Sequence, residues 1–127
     1  MRKINLFLLN SFFESNINVT AAWLFGSAKD GIIRDGRDID IAILFEKNPV
    51  LDEWMDMIND LEEIIDYNKI DLLILNRTES SITCFEAISG KSLFCRDIEK
   101  VAEYSSLIAR RYEYDMAFIR RGLSVTQ

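Results

Sequence analysis

With 127 residues and 49% hydrophobic content, the chain has the size of one domain spanning residues 1–127, large enough to bury most of its apolar surface in a single core. A formal net charge of −6 argues against direct binding to nucleic acid, which depends on neutralising many phosphates with Lys and Arg. Histidine is absent, which removes His-dependent zinc sites, Ser-His and Cys-His nucleophile pairs and an imidazole base.

Taken in chain order, Ile4, Leu8 and Phe12 recur at helical spacing, so residues 3–15 read as an opening amphipathic helix that Asn16 and Asn18 end. Its apolar stretch, Ile4 to Phe13, is interrupted by Asn5, Asn10 and Ser11 and is too short to cross a bilayer, so no membrane role is expected. A buried strand at 19–25 follows. After it come a short helical turn from Ser27, a polar loop with Gly31, Asp35 and Gly36, and a strand at 38–45. Asn48-Pro49 predicts a helix start with Asn48 as N-cap, and Asp52 and Glu53 suit the positive end of the dipole. That helix, 49–66, carries Leu51, Trp54, Met55, Ile58, Leu61 and Ile65 as a core stripe. A third strand spans 69–75, and Ser80 or Ser81 caps a helix that Gly90 stops. Residues 91–96 form an edge strand, and Asp97 caps a final helix of about 97–121 with Gly122 as its stop. Arg110, Arg111, Arg120 and Arg121 with Tyr104, Tyr112 and Tyr114 on that helix offer either a partner surface or a solvated face. Cys84 and Cys95 have no C-x-x-C spacing and read as buried thiols of a cytoplasmic protein.

One run carries the chemistry. Gly26-Ser27 closes a strand, ten residues follow, and Asp38-Ile39-Asp40 opens the next strand. Side chains alternate along a strand that rises about 3.3 Å per residue, so Asp38 and Asp40 share a face with Cα atoms roughly 6.5 Å apart. Ile39, Ile41, Ile43 and Phe45 then fill the opposite face. Two carboxylates so close in an apolar strand repel each other and lose hydration, a cost that a cation offsets. Hard Mg²⁺ takes oxygen ligands and keeps positions open for substrate phosphates. Glycine lets backbone approach a phosphate closely, and the Ser27 hydroxyl and neighbouring N–H groups are candidate donors to it. Alone, a D-x-D at a strand end is more often a solvated terminus or a capping device, and a lone Gly-Ser is usually just a turn. Their joint spacing is the signal.

Gly26-Ser27, ten residues and Asp38-x-Asp40 resemble the signature of the DNA polymerase β-like nucleotidyltransferase superfamily, and the short chain resembles its minimal nucleotidyltransferase branch. The resemblance continues through Lys69 to Leu75, where the family places a third carboxylate, here Asp71, with Asp66 in the preceding turn as its rival. It reaches the helix-glycine-strand run Ala87 to Phe94, so it covers about residues 4 to 96. It implies an α/β minimal nucleotidyltransferase fold, a small mixed β-sheet flanked by α-helices. It further implies that Asp38, Asp40 and Asp71 are catalytic and hold two Mg²⁺ ions, and that Gly26 and Ser27 grip the phosphates of ATP. The chain departs from the family pattern at Asp30, where a basic or amide residue is frequent, and at Arg37, where serine is frequent. Lys29 and Arg37 are the cations expected to offset Asp30 and complete the nucleotide site.

By the same resemblance the leading expectation is a protein adenylyltransferase acting as an antitoxin. It would move AMP from ATP to a tyrosine of a HEPN ribonuclease toxin, with which it would form a hetero-oligomer. The chain is not that toxin, whose motif needs a histidine. The alternatives are a catalytically silent antitoxin acting by contact and a small-molecule transferase of the aminoglycoside-modifying kind, which usually needs an added substrate domain.

Overall fold

The computed structural model describes residues 2–122, so the ends of the expected span 1–127 lie outside the described residues. In chain order the elements are β1 (Arg2–Lys3), α1 (Leu6–Ser15), β2 (Val19–Phe25), a 3-10 turn (Gly26–Ala28), β3 (Ile32–Ile33), β4 (Ile39–Phe45), α2 (Leu51–Ile65), β5 (Ile70–Ile74), a second 3-10 turn (Leu75–Arg77), α3 (Ser81–Ile88), β6 (Lys91–Cys95) and α4 (Ile98–Arg120). Four strands lie side by side in the order β5-β4-β2-β6. β4 is parallel to β5, and the other two pairings are antiparallel. The sheet is therefore mixed, as the α/β expectation requires, and β6 is an edge.

Strand alternation sorts the side chains into two cores. Ile39, Ile41, Ile43 and Phe45 of β4 pack with Leu9 and Phe13 of α1 and with Met57, Leu61 and Ile65 of α2. On the other face, Ala21, Trp23, Phe25 and Ala42 meet Cys84 and Ala87 of α3 and Ile108 of α4. The sheet is thus the middle layer between two helix pairs. Asp40 has the parity of Ala42, so it sits on the α3/α4 face near the start of its strand.

Several expectations are corrected. Residues 3–5 are not helical: Lys3 pairs with Ile32, the Ile4 amide donates to the Gly31 carbonyl (2.7 Å), and Asn5 is the N-cap, accepting from the Leu8 amide. Helix α2 begins at Leu51 with Val50 as its cap, not Asn48. Pro49 is buried and its carbonyl accepts from the Arg77 guanidinium, which keeps the chain extended past the expected cap. The α2 stripe also shifts: Met57 is buried, while Leu51 and Met55 are exposed. Cys84 is buried as expected, but Cys95 is exposed on the edge strand. On α4, Tyr112 stacks on Phe85 (ring centroids 4.2 Å apart) and Arg111 donates to the Glu79 carbonyl (2.9 Å). Burial beside Cys84 pushes the Tyr104 hydroxyl well above the usual tyrosine range. Three of the seven residues offered as a partner surface, Tyr104, Arg111 and Tyr112, are therefore used to pack α4 onto α3.

Arg96 holds the far end of the sheet. Its guanidinium donates to the carbonyls of Val19 (2.9 Å), Phe13 (3.1 Å), Glu14 (2.9 Å) and Asn16 (3.1 Å). Three of these lie at the C-terminus of α1, where carbonyls lack helical partners and the dipole favours a cation. Arg96→Ala is expected to lower unfolding stability by about 2–3 kcal/mol, the scale of hydrogen bonds to a charged group, as read from urea melts. Arg96→Lys should recover little of it, because an ammonium cannot span the four acceptors.

Candidate active site

The site is built where β2 ends and β4 and β5 begin. β2 runs out at Phe25, which pairs with Asp40 across the antiparallel ladder. Gly26 then turns the chain with φ +71°, a conformation that favours glycine. A Cβ at Gly26 would overlap the Asp40 carboxylate, so the turn and the acidic side chain are in intimate contact. Gly90 makes a similar approach from the other side: a Cβ there would overlap the Leu24 carbonyl oxygen and lie 3.0 Å from the Phe25 Cβ. The role expected of it was only to stop a helix. In the structure it lets the α3–β6 corner sit directly against the end of β2.

The carboxylates are brought together by strand register. Ile39 donates its amide to the Lys69 carbonyl (2.8 Å), and the parallel ladder that follows aligns Asp40 with Asp71. Register partners in adjacent strands share a face at a spacing of about 4.8 Å, so the two carboxylates are lateral neighbours. Asp38 lies just before β4, exposed, and its carbonyl accepts from the Ser27 hydroxyl (3.3 Å). Burial, then the negative charges of Asp71, Asp38 and Glu86, push the Asp40 carboxyl above the usual carboxylate range. Glu86 of α3 was not anticipated, because which face of a short helix meets a distant strand is not encoded in local spacing. Asp66 lies apart as the left-handed C-cap of α2 (φ 56°), lining an open cleft with Glu62, Tyr67 and Asn68.

Asp30 is compensated, but not by the residues expected to do it. Arg34 grips its carboxylate with both nitrogens (2.7 and 3.1 Å) and holds it at about 2, well below the usual carboxylate range. The same guanidinium donates to the Ser27 carbonyl (2.8 Å). Among the described residues, Lys29 and Arg37 make no side-chain hydrogen bond or ion pair, and both are exposed. The i, i+4 spacing of Asp30 and Arg34 was the available signal for this pair.

Among the described residues, no three Cys, Asp or Glu side chains converge closely enough to hold a metal by themselves. Mg²⁺ does not require that: it is typically held by one or two carboxylates together with substrate phosphates. An oxygen-only donor set, in which the partly desolvated Asp40 carboxylate lies beside the negative charge of the exposed Asp71, fits such an ion in chemistry and charge.

The family model described as "Polymerase beta, Nucleotidyltransferase" matches residues 8–99. Among solved structures, a mutant MntA–HpeT toxin–antitoxin complex has a chain with TM-score 0.76 and 20% identity, covering 95% of this chain and 100% of that one. A toxin–antitoxin structure with AMP-PNP gives TM-score 0.74 at 20% identity, with coverage of 95% and 100%. The complex of tri-AMPylated Shewanella oneidensis HEPN toxin with MNT antitoxin gives 0.65 at 19% identity, with coverage of 94% and 99%. At these identities the likeness is one of fold. No curated protein matches the sequence. Since the family model spans most of the chain and the sheet places an acidic pair beside a Gly-Ser turn, the chain belongs to the polymerase β-type nucleotidyltransferase family.

Proposed function

We propose that the chain, as one nucleotidyltransferase unit over residues 1–127, is a Mg²⁺-dependent protein adenylyltransferase that moves AMP from ATP to a tyrosine of a HEPN-type toxin and so acts as its antitoxin. The observation that carries the reading is the register pairing of Asp40 with Asp71 beside Gly26-Ser27. Support for the partner comes from the solved complexes whose fold this chain shares, one of which is described as holding a tri-AMPylated HEPN toxin.

In this reading Asp38 and Asp40 would hold two Mg²⁺ ions together with the phosphates of ATP, and Asp71 would complete one of the two sites. When bound, Mg²⁺ supplies charge neutralisation at the phosphate under attack. Asp71, exposed at the start of β5, would accept the proton of the acceptor hydroxyl. The tyrosine oxygen bonds to the α-phosphorus, the bond from that phosphorus to the bridging oxygen breaks, and pyrophosphate leaves. Gly26 lets backbone approach the remaining phosphates. The Ser27 hydroxyl contributes only if a phosphate oxygen displaces the Asp38 carbonyl as its acceptor. Lys29 and Arg37, exposed on the loop between β2 and β4, supply positive charge nearby.

The test is intact-mass spectrometry of the chain co-expressed with a HEPN-type toxin, wild type beside Asp38→Asn. The expected result is a partner heavier by about 329 Da per AMP attached with wild type and unchanged with the variant. A partner that is neutralised equally by both and never gains mass would replace the enzymatic reading with inhibition by contact.

A further inference from the structure

The loop between β2 and β4 places a negative charge beside the turn assigned to the triphosphate, and one side chain touches both. Arg34 Nη1 lies 2.8 Å from the Ser27 carbonyl and 3.1 Å from Asp30 Oδ1, while Nη2 lies 2.7 Å from Asp30 Oδ2. Asp30 Oδ1 also accepts from the Ile32 amide (3.1 Å), and Arg34 Nη1 has a longer contact with the Ile32 carbonyl (3.3 Å). The Tyr67 hydroxyl donates to the Arg37 carbonyl (2.6 Å), with the Arg34 carbonyl a longer second contact (3.3 Å). The guanidinium is therefore held at its tip by the Asp30 carboxylate and the Ser27 carbonyl. No other cation is placed in this way: among the described residues Asp30 is ion-paired to Arg34 alone.

We propose that Arg34 is a positioning residue for the nucleotide, acting by cancelling the charge of Asp30 next to the Gly26-Ser27 turn. The inference rests on the reading of that turn as the triphosphate site. A bare carboxylate at Asp30 would repel a polyanion there, and pairing it with a fixed guanidinium removes the repulsion. Both side chains are close to half exposed (42% and 47%), so removing them leaves the core intact.

The experiment measures Mg-ATP affinity by calorimetry, and KM and kcat of transfer, for wild type, Arg34→Ala and the double variant Asp30→Asn with Arg34→Ala. Arg34→Ala is expected to weaken binding and raise KM roughly tenfold, with kcat changed by less than about threefold. The double variant should return to within about threefold of wild type, because the charge needing cancellation is gone. A merely structural role would not give that rescue. Arg34→Ala binding within about twofold of wild type, or a loss the double variant does not restore, overturns the inference while the site reading stands. Wild type that binds no Mg-ATP overturns the site reading and this inference with it.

Discussion

Asp40→Asn is expected to lower AMP transfer by about 10³-fold or more while raising the melting temperature of the metal-free protein. The two effects have one cause. Asp40 is partly desolvated and faces Asp71, Asp38 and Glu86, so its carboxyl is pushed above the ordinary aspartate value of 3.8. A group whose folded-state pKa is raised stabilises the fold fully below the unfolded value and loses that contribution as pH rises through the folded value. Once ionised, Asp40 of the metal-free wild type is a repelling carboxylate that the amide of the variant is not. In EDTA, raising the pH above the ordinary aspartate value of 3.8 should lower the wild-type melting temperature more than the variant's. Adding Mg²⁺ should raise the wild-type value and leave the variant nearly unmoved. A variant that melts lower than wild type at neutral pH would show that Asp40 holds the fold together, and the site would have to be sought elsewhere.

What was legible in the sequence follows how local each feature is. The strand at 19–25 and the alternation from Ile39 to Phe45 were readable because an apolar run and a period of two are properties of the strand itself. The parity of Asp71 with Leu73 and Leu75 was readable for the same reason. Its register against Asp40 was not, because pairing between strands joined by a helix is fixed by packing of residues far apart in sequence. The phase of α2 failed similarly. Leu51 and Met55 satisfy helical spacing as well as Met57 does, but the sheet beneath selects Met57 as the one that is covered. Arg34 is closer to Asp30 in sequence than Arg37 is, but spacing in a loop does not say which side chain folds back onto the carboxylate, and the structure selects Arg34. At Gly90, composition marked a helix stop, and only the fold reveals that the backbone of β2 occupies the space of a side chain.

Gly26→Ala should be the most damaging small substitution in the loop, and Gly36→Ala is its control. Both glycines have positive φ, +71° and +78°, so each alanine incurs a similar backbone strain of about 1 kcal/mol. They differ in what the new methyl meets. Nothing lies within 4 Å of a Cβ at Gly36, whereas at Gly26 it would overlap the Asp40 carboxylate, with Asp40 Cγ at 3.1 Å and Cβ at 3.4 Å. To make room, the carboxylate must turn away from the position it holds beside Asp71. Displacing a reacting or ion-holding group by an ångström lowers turnover by about 10²-fold, so Gly26→Ala should lose at least that much activity. Gly36→Ala should lose about 1 kcal/mol of stability and keep turnover within about twofold of wild type. Turnover and urea melts on the two variants separate strain from site geometry. Equal activity losses would mean that loop conformation alone sets the rate. A Gly26→Ala enzyme that keeps wild-type turnover would mean that the Asp40 carboxylate does its work from a different rotamer, and the contact with Gly26 would lose its functional meaning.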